Sequence, residues 1–175
     1  TYHCGVLECA GNWMPLALVH LAGEIDKNKY EVVLYDAMSE GVDINTAVRK
    51  IRDMAPDLIA VGAYTASAPA ALEMLKLVRQ VLGNVVTVMG GVHATFMWKS
   101  ILEEHPSVDY VVVGEGEMAF RELLDQVFYG KNGGLPRGIA ARVDGRTAFG
   151  GERSFIRDLD SLSPDYDLLD WSIYK

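Results

Sequence analysis

Apolar residues fall into short unbroken runs that alternate with longer stretches where they recur every three or four positions. Residues 58–64 (Leu-Ile-Ala-Val-Gly-Ala-Tyr), 85–89 (Val-Val-Thr-Val-Met) and 108–113 (Val-Asp-Tyr-Val-Val-Val) are runs of the first kind, predicting strands buried on both faces of a parallel sheet. Residues 30–35 (Tyr-Glu-Val-Val-Leu-Tyr) have the β-branched and aromatic content of a further strand, closed by Asp36. The periodic stretches predict helices. Pro15 suits a first helical position, and Leu16, Leu18, Val19, Leu21, Ala22 and Ile25 predict a well-buried helix reaching about Asp26. Asp43 or Asn45 caps a second, in which Ile44, Ala47, Val48, Ile51 and Met54 keep the helical period until Pro56 stops it. Ser67 is the predicted N-cap of a third, lined by Leu72, Leu75, Val78 and Leu82 and ending near Gly83. A fourth runs from about Thr95 to Glu104, and a fifth from Met118 to Phe128.

Strands and helices alternating in this way imply right-handed crossovers and a doubly wound, mostly parallel α/β sheet. Residues 5–13, 64–68, 90–94 and 114–117 each follow a strand and precede a helix. They are therefore predicted to converge on one rim, the edge where open α/β sheets hold their ligands. For the first of these segments two readings stand: a short strand from Gly5 to Cys9, or a loop after a strand lying before Thr1. The chain opens without a methionine, so residues are expected upstream. The α/β domain is assigned to residues 1–130. Residues 131–175 change character, with a joint at Lys131-Asn-Gly-Gly134, a β-hairpin turning at Asp144-Gly145, and a connector from Phe155 that has no core of its own and is expected to lead into another domain.

Composition narrows the function. With half of its 175 residues hydrophobic, the chain is long enough to bury roughly 70% of its unfolded surface. A net charge of −8 has the wrong sign for a protein that tracks phosphate backbones, which sets nucleic-acid binding aside. No apolar run approaches the roughly 20 residues a membrane-spanning helix needs, and no signal peptide opens the chain, so a cytoplasmic location is expected. Cys4 and Cys9 lack CxxC or CxxxCxxC spacing and read as unpaired thiols in a reducing compartment.

Candidate chemistry concentrates at the predicted rim. Gly90 and Gly91 follow a strand and withhold side chains where a ligand, or another stretch of backbone, can approach. The next helix aims free N–H groups at the same place, which favours an anion. Neither a G-x-G-x-x-G fingerprint nor a Walker lysine is present, and a purely structural tight turn explains the glycine pair equally well. Glu115 and Glu117 stand at a helix N-terminus, where the helix dipole makes a capping role more economical than acid–base chemistry. His93 lies beside the glycine pair, and Asn12 and Trp13 either close over a flat ligand or staple a helix start. No Ser-His-Asp order or metal-ligand spacing is assembled, so no catalytic or metal-binding residue is assigned.

Residues 90–95 (Gly-Gly-Val-His-Ala-Thr), 108–117 (Val-Asp-Tyr-Val-Val-Val-Gly-Glu-Gly-Glu), 137–140 and 156–165 together resemble the N-terminal cobalamin-binding region of cobalamin-dependent radical S-adenosylmethionine enzymes. The resemblance implies a flavodoxin-like fold with the corrin ring on the rim and the nucleotide tail reaching toward Gly90 and Gly91. Implied contacts come from Gly11, Asn12 and Trp13 in the first loop and from Tyr64, Thr65, Ala66 and Ser67 in the second. Val92 and His93 join the glycine pair in the third, and Gly114, Glu115 and Gly116 form the fourth. Cobalamin methyltransferase modules carry Asp-x-His-x-x-Gly after their first strand, whereas the matching loop here offers Gly11, Asn12 and Trp13. Base-off cobalamin with no protein histidine on cobalt is therefore expected. The chain also lacks CxxxCxxC, so S-adenosylmethionine and its [4Fe–4S] cluster are expected only in a further domain of the same polypeptide, and no catalysis from this part alone. Three alternatives stay open: a module for another flat cofactor such as FMN, a radical enzyme of the same type acting on another substrate, and a platform that has lost its cofactor.

Overall fold

Three apolar runs become the parallel part of one sheet. In the computed structural model, which describes residues 14–130 and 133–174, these are β1 (Leu58–Gly62), β2 (Val86–Gly90) and β3 (Tyr110–Val112). β1 pairs in register with β2 from Leu58 opposite Val86 to Gly62 opposite Gly90, so two glycines end the strands side by side. β3 joins the other edge of β2 through Val88 opposite Tyr110 and Met89 opposite Val111. The hairpin β4 (Ile139–Val143) and β5 (Arg146–Phe149) continues the sheet antiparallel to β3, giving the order β1-β2-β3-β4-β5. Its turn residues Asp144 and Gly145 have φ of 50° and 75°, the left-handed pair that a type I′ turn requires.

Five described helices accompany the strands: α1 (Leu16–Gly23), α2 (Ile44–Met54), α3 (Ala68–Leu82), α4 (Val92–Glu104) and α5 (Glu117–Tyr129). Leu75, Met89, Ala94, Ile101, Leu102, Val108 and Val111 form the centre of the core, where α3 and α4 meet β2 and β3. Asp43 caps α2 by accepting the N–H groups of Asn45 and Thr46. Ser67 occupies the cap position of α3, but its hydroxyl turns back to accept the Tyr64 N–H instead of bonding the helix.

Chain contacts divide the molecule into two compact units, residues 48–157 and residues 1–47 with 158–175. The first holds the whole sheet. At the amino ends of its strands, Thr87 is fully buried; its hydroxyl donates to the Ser107 carbonyl at 2.6 Å and accepts the Asp109 N–H at 3.1 Å. The Asp109 carboxylate in turn accepts from the Thr87 N–H at 2.9 Å and from the Arg79 guanidinium. Arg142 reaches from β4 to the Leu102 carbonyl, which the last turn of α4 leaves open, and to the carbonyls of Pro106 and Val108 in the segment that follows. In the second unit, the buried Asp165 accepts a hydrogen bond from Lys27, and its own N–H donates to the Val19 carbonyl at 3.0 Å. The Tyr174 hydroxyl donates to Asp36 at 2.8 Å; burial first, and then that bond, push its pKa up to about 12.

Three expectations are corrected. Residues 30–35 form no strand: their content favours extended backbone, but a strand needs a hydrogen-bonded neighbour, and none pairs with them among the described residues. β1 is half-buried where β2 is closed in, because it has a neighbour on one edge only among those residues. α1 buries Val19 and Ala22 while Leu16 stays half exposed, so an apolar surface all round does not mean burial all round. Among the described residues no helix is long and apolar enough to cross a membrane.

Thr87→Val removes a buried hydroxyl at the crossing of three elements and leaves the Ser107 carbonyl and Asp109 N–H without that partner. Urea denaturation is expected to show a loss of about 1–3 kcal/mol, with Thr87→Ser losing less.

Candidate functional site

Because β1, β2 and β3 run parallel, the segments after them leave the sheet at the same end. Residues 63–67, Gly91 and residues 113–116 therefore share one rim. The first two are locked backbone to backbone. The Ala63 N–H donates to the Gly90 carbonyl at 3.0 Å, and the His93 N–H donates to the Ala63 carbonyl at 3.2 Å. A Cβ on Gly91 would stand 2.7 Å from the Ala63 oxygen and 2.9 Å from its nitrogen, and the residue sits at φ +90°. Its glycine is required by the neighbouring loop.

Gly90 differs. A Cβ there would meet only the Val112 Cβ, at an ordinary 3.6 Å, and its φ lies outside the left-handed region. Nothing in the described structure demands glycine at this position. The pair thus divides, one residue held by the fold and the other leaving open backbone at the strand tip.

The third loop is tied in by a side chain. The Thr95 hydroxyl accepts the Gly114 N–H at 3.0 Å and donates to the Gly91 carbonyl at 3.0 Å. Gly114, at φ +81° with open space around it, gives this loop its direction. The two carboxylates of the loop have different surroundings. Glu115 accepts the Ile156 N–H at 2.7 Å and so fastens the start of the connector. One Glu117 oxygen, at the first turn of α5, is shut away from solvent with no hydrogen-bond partner.

Of the residues expected at the site, the structure places Tyr64, Thr65, Ala66, Ser67, Gly91, Gly114, Glu115 and Gly116 in these three loops, Gly90 at the tip of β2, and Val92 and His93 in the first turn of α4. Gly11, Asn12 and Trp13 lie outside the described residues. His93 Nδ1 is 3.4 Å from the Thr65 hydroxyl, joining the first two loops again. Tyr64 (72% exposed) and Val92 (55%) give the rim apolar surface, and among the described residues the charges on its three loops and at the start of α5 are Glu115 and Glu117, with no lysine or arginine. This is a poor seat for a free phosphate and a better one for a broad, largely uncharged ligand. Among the described residues no group of three or more His, Cys, Asp or Glu is placed to hold a metal. A separate cleft of about 390 Å³ lies in the other unit, lined mainly by consecutive residues 27–32, and brings no chemistry from distant parts of the chain together. From sequence Thr95 is legible only as a helix start, and Glu117 as a capping group weighed against acid–base chemistry; the structure adds the Thr95 bonds and the buried Glu117 oxygen.

A family model described as the B12 binding domain matches residues 2–124. The chain belongs to the B12-binding domain family. Its curated relatives include the anaerobic magnesium-protoporphyrin IX monomethyl ester cyclases of Rubrivivax gelatinosus, 35% identical over 99% of this chain and 32% of the relative, and of Cereibacter sphaeroides, 34% identical over 99% and 29%. This B12-binding domain thus spans about a third of the length of those relatives. Among solved structures it is similar in fold to the cobalamin-dependent S-adenosylmethionine radical enzyme OxsB with aqua-cobalamin and S-adenosylmethionine bound, at TM-score 0.73 and 21% identity over 87% of this chain and 21% of that one. It is similar also to the radical S-adenosylmethionine methyltransferase TsrM from Kitasatospora setae with cobalamin and [4Fe–4S] cluster bound, at TM-score 0.69 and 18% identity over 86% and 28%. The fold is therefore the open, mostly parallel, Rossmann-like sheet expected from sequence.

The division of the glycine pair gives a direct test in this B12-binding domain. Gly91→Ala forces a clash with the Ala63 backbone and is expected to lose about 3 kcal/mol or more, whereas Gly90→Ala should stay within about 1 kcal/mol of the parent in thermal or urea melts.

Proposed function

We propose that the rim seats cobalamin, and that the chain is the cobalamin-carrying part of an anaerobic magnesium-protoporphyrin IX monomethyl ester oxidative cyclase of bacteriochlorophyll biosynthesis. The observation that carries the first statement is Gly90: the protein itself leaves room for a side chain there, and glycine keeps the strand tip bare for a ligand's close approach. The residues present suit the group. Tyr64 and Val92 offer apolar surface to a macrocycle, and the bare backbone at Gly90 gives a polar tail a close approach to the main chain. The tail would run past Gly90, with Thr65, Ala66, Ser67 and His93 on one side and Gly114, Glu115 and Gly116 on the other. Gly11, Asn12 and Trp13 are proposed to complete the seat.

Family membership supports cobalamin over FMN, and the two cyclase relatives support the porphyrin substrate. Residues 10–15 (Ala-Gly-Asn-Trp-Met-Pro) and 91–97 (Gly-Val-His-Ala-Thr-Phe-Met) are further points of likeness to the cyclase. Cobalamin supplies a redox-active cobalt centre when bound. The loop holding Gly11, Asn12 and Trp13 offers no histidine, so we propose base-off cobalamin without a protein histidine on cobalt. S-adenosylmethionine and the [4Fe–4S] cluster that cleaves it would be held by a domain following residue 175, reached through residues 155–175. The parent would work in the cytoplasm, closing the porphyrin's fifth ring oxidatively.

Titration with hydroxocobalamin, followed by absorbance, tests the reading against a parallel titration with FMN. One equivalent of cobalamin should bind and FMN should not; binding of FMN alone, or of neither, would overturn it. Gly90→Ala should fold normally and bind cobalamin about five- to a hundredfold more weakly, the cost of one methyl group forced into a filled contact. The Co(II) form should give an electron paramagnetic resonance spectrum without nitrogen superhyperfine splitting from a histidine.

A further inference from the structure

Two of the three rim loops are joined by main-chain hydrogen bonds through Ala63, Gly90 and His93, with the His93 ring also 3.4 Å from the Thr65 hydroxyl. The third has a different fastening. Gly114 follows Val113, whose N–H donates to the Gly138 carbonyl at 2.8 Å; it sits in the left-handed region with no atom within 4 Å of where a Cβ would be, so no side-chain packing at Gly114 itself sets its direction. Its N–H donates to the Thr95 hydroxyl at 3.0 Å, from a residue 19 positions away on another element. That hydroxyl donates its own proton to the Gly91 carbonyl, which also accepts the Thr95 backbone N–H at 3.0 Å. Because the hydroxyl proton is committed to Gly91, the oxygen lone pairs are left facing Gly114, and each bond polarises the other.

We propose that Thr95 is a positioning residue for the cofactor seat, acting through Gly91 and Gly114 rather than by touching the ligand. It presets the spacing between the glycine step after β2 and the loop carrying Glu115, Gly116 and Glu117. A ligand lying across both loops then meets them already in place and does not have to order the third itself. The inference rests on the cobalamin reading of the rim for its ligand, and on the two hydrogen bonds alone for its mechanism. Threonine suits the position: its β-branched side chain holds few rotamers in a helix, and one of them carries the hydroxyl to the carbonyl four residues back. Valine keeps the shape and loses both bonds, while serine keeps the bonds.

The test compares the parent chain with Thr95→Val and Thr95→Ser. Without cobalamin, amide exchange at Gly114, read by NMR, should be about tenfold faster in Thr95→Val and within about twofold of the parent in Thr95→Ser. With hydroxocobalamin, Thr95→Val should bind roughly three- to tenfold more weakly, and Thr95→Ser should recover most of the loss. Unchanged exchange at Gly114 in the valine variant overturns the proposal, as does faster exchange with unchanged affinity. Equal losses in valine and serine variants also overturn it, because that pattern belongs to packing and not to the hydroxyl. If Thr95→Val does not fold, Thr95→Ala takes its place in the same comparison. Failure of the parent itself to bind cobalamin overturns the reading of the ligand, and the exchange data then decide Thr95 by themselves.

Discussion

The arrangement of the rim depends on one close approach between two stretches of backbone. Ala63 leaves β1 and presses against Gly91, which leaves β2, at distances where no side chain fits. Either side of that contact the Ala63 N–H donates to the Gly90 carbonyl and the Ala63 carbonyl accepts the His93 N–H. Two consequences follow: α4 begins immediately after the strand, with Val92 as its first residue, and the tips of β1 and β2 stay level. The third loop is added to this fixed pair by the Thr95 hydroxyl. A site meant to receive a large, flat ligand gains from such rigidity, since loops already ordered lose little entropy on binding.

The polar anchoring of the sheet and the proposed binding rim lie at opposite ends of the strands. The polar cluster of buried Thr87 with part-exposed Asp109 and Arg79, and the carbonyls held by Arg142, all lie at the amino ends or on the side of the hairpin. At the carboxyl ends the described residues offer glycines, exposed Tyr64 and Val92, and a carboxylate oxygen without a partner. The sheet is therefore firm at one end of its strands and leaves bare backbone and apolar surface at the other.

Much of this was legible in the residues because periodicity reports burial. The three parallel strands, the hairpin with its Asp144-Gly145 turn and the capping of α2 by Asp43 all follow from local pattern. What was not legible depends on partners distant in sequence. Residues 30–35 have the content of a strand and no ladder, and β1 has the content of an interior strand and only one described neighbour. The glycine pair reads as a unit in sequence, yet only Ala63, 28 positions before Gly91, reveals that the second glycine is required by the fold and the first is not. Glu115 and Glu117 look equivalent until Ile156 claims one of them. Thr95 reads as an ordinary helix residue until Gly114 is found against its hydroxyl.

The chain belongs to the B12-binding domain family, and the proposed seat for its ligand is the bare strand tip at Gly90. Hydrogen–deuterium exchange across the chain, with and without bound hydroxocobalamin, tests that placement most directly. The account requires protection to concentrate in residues 63–68, 90–95 and 113–117, with little change around Thr87 and Asp109. Protection centred on residues 27–32, or spread evenly with the rim unaffected, would contradict it.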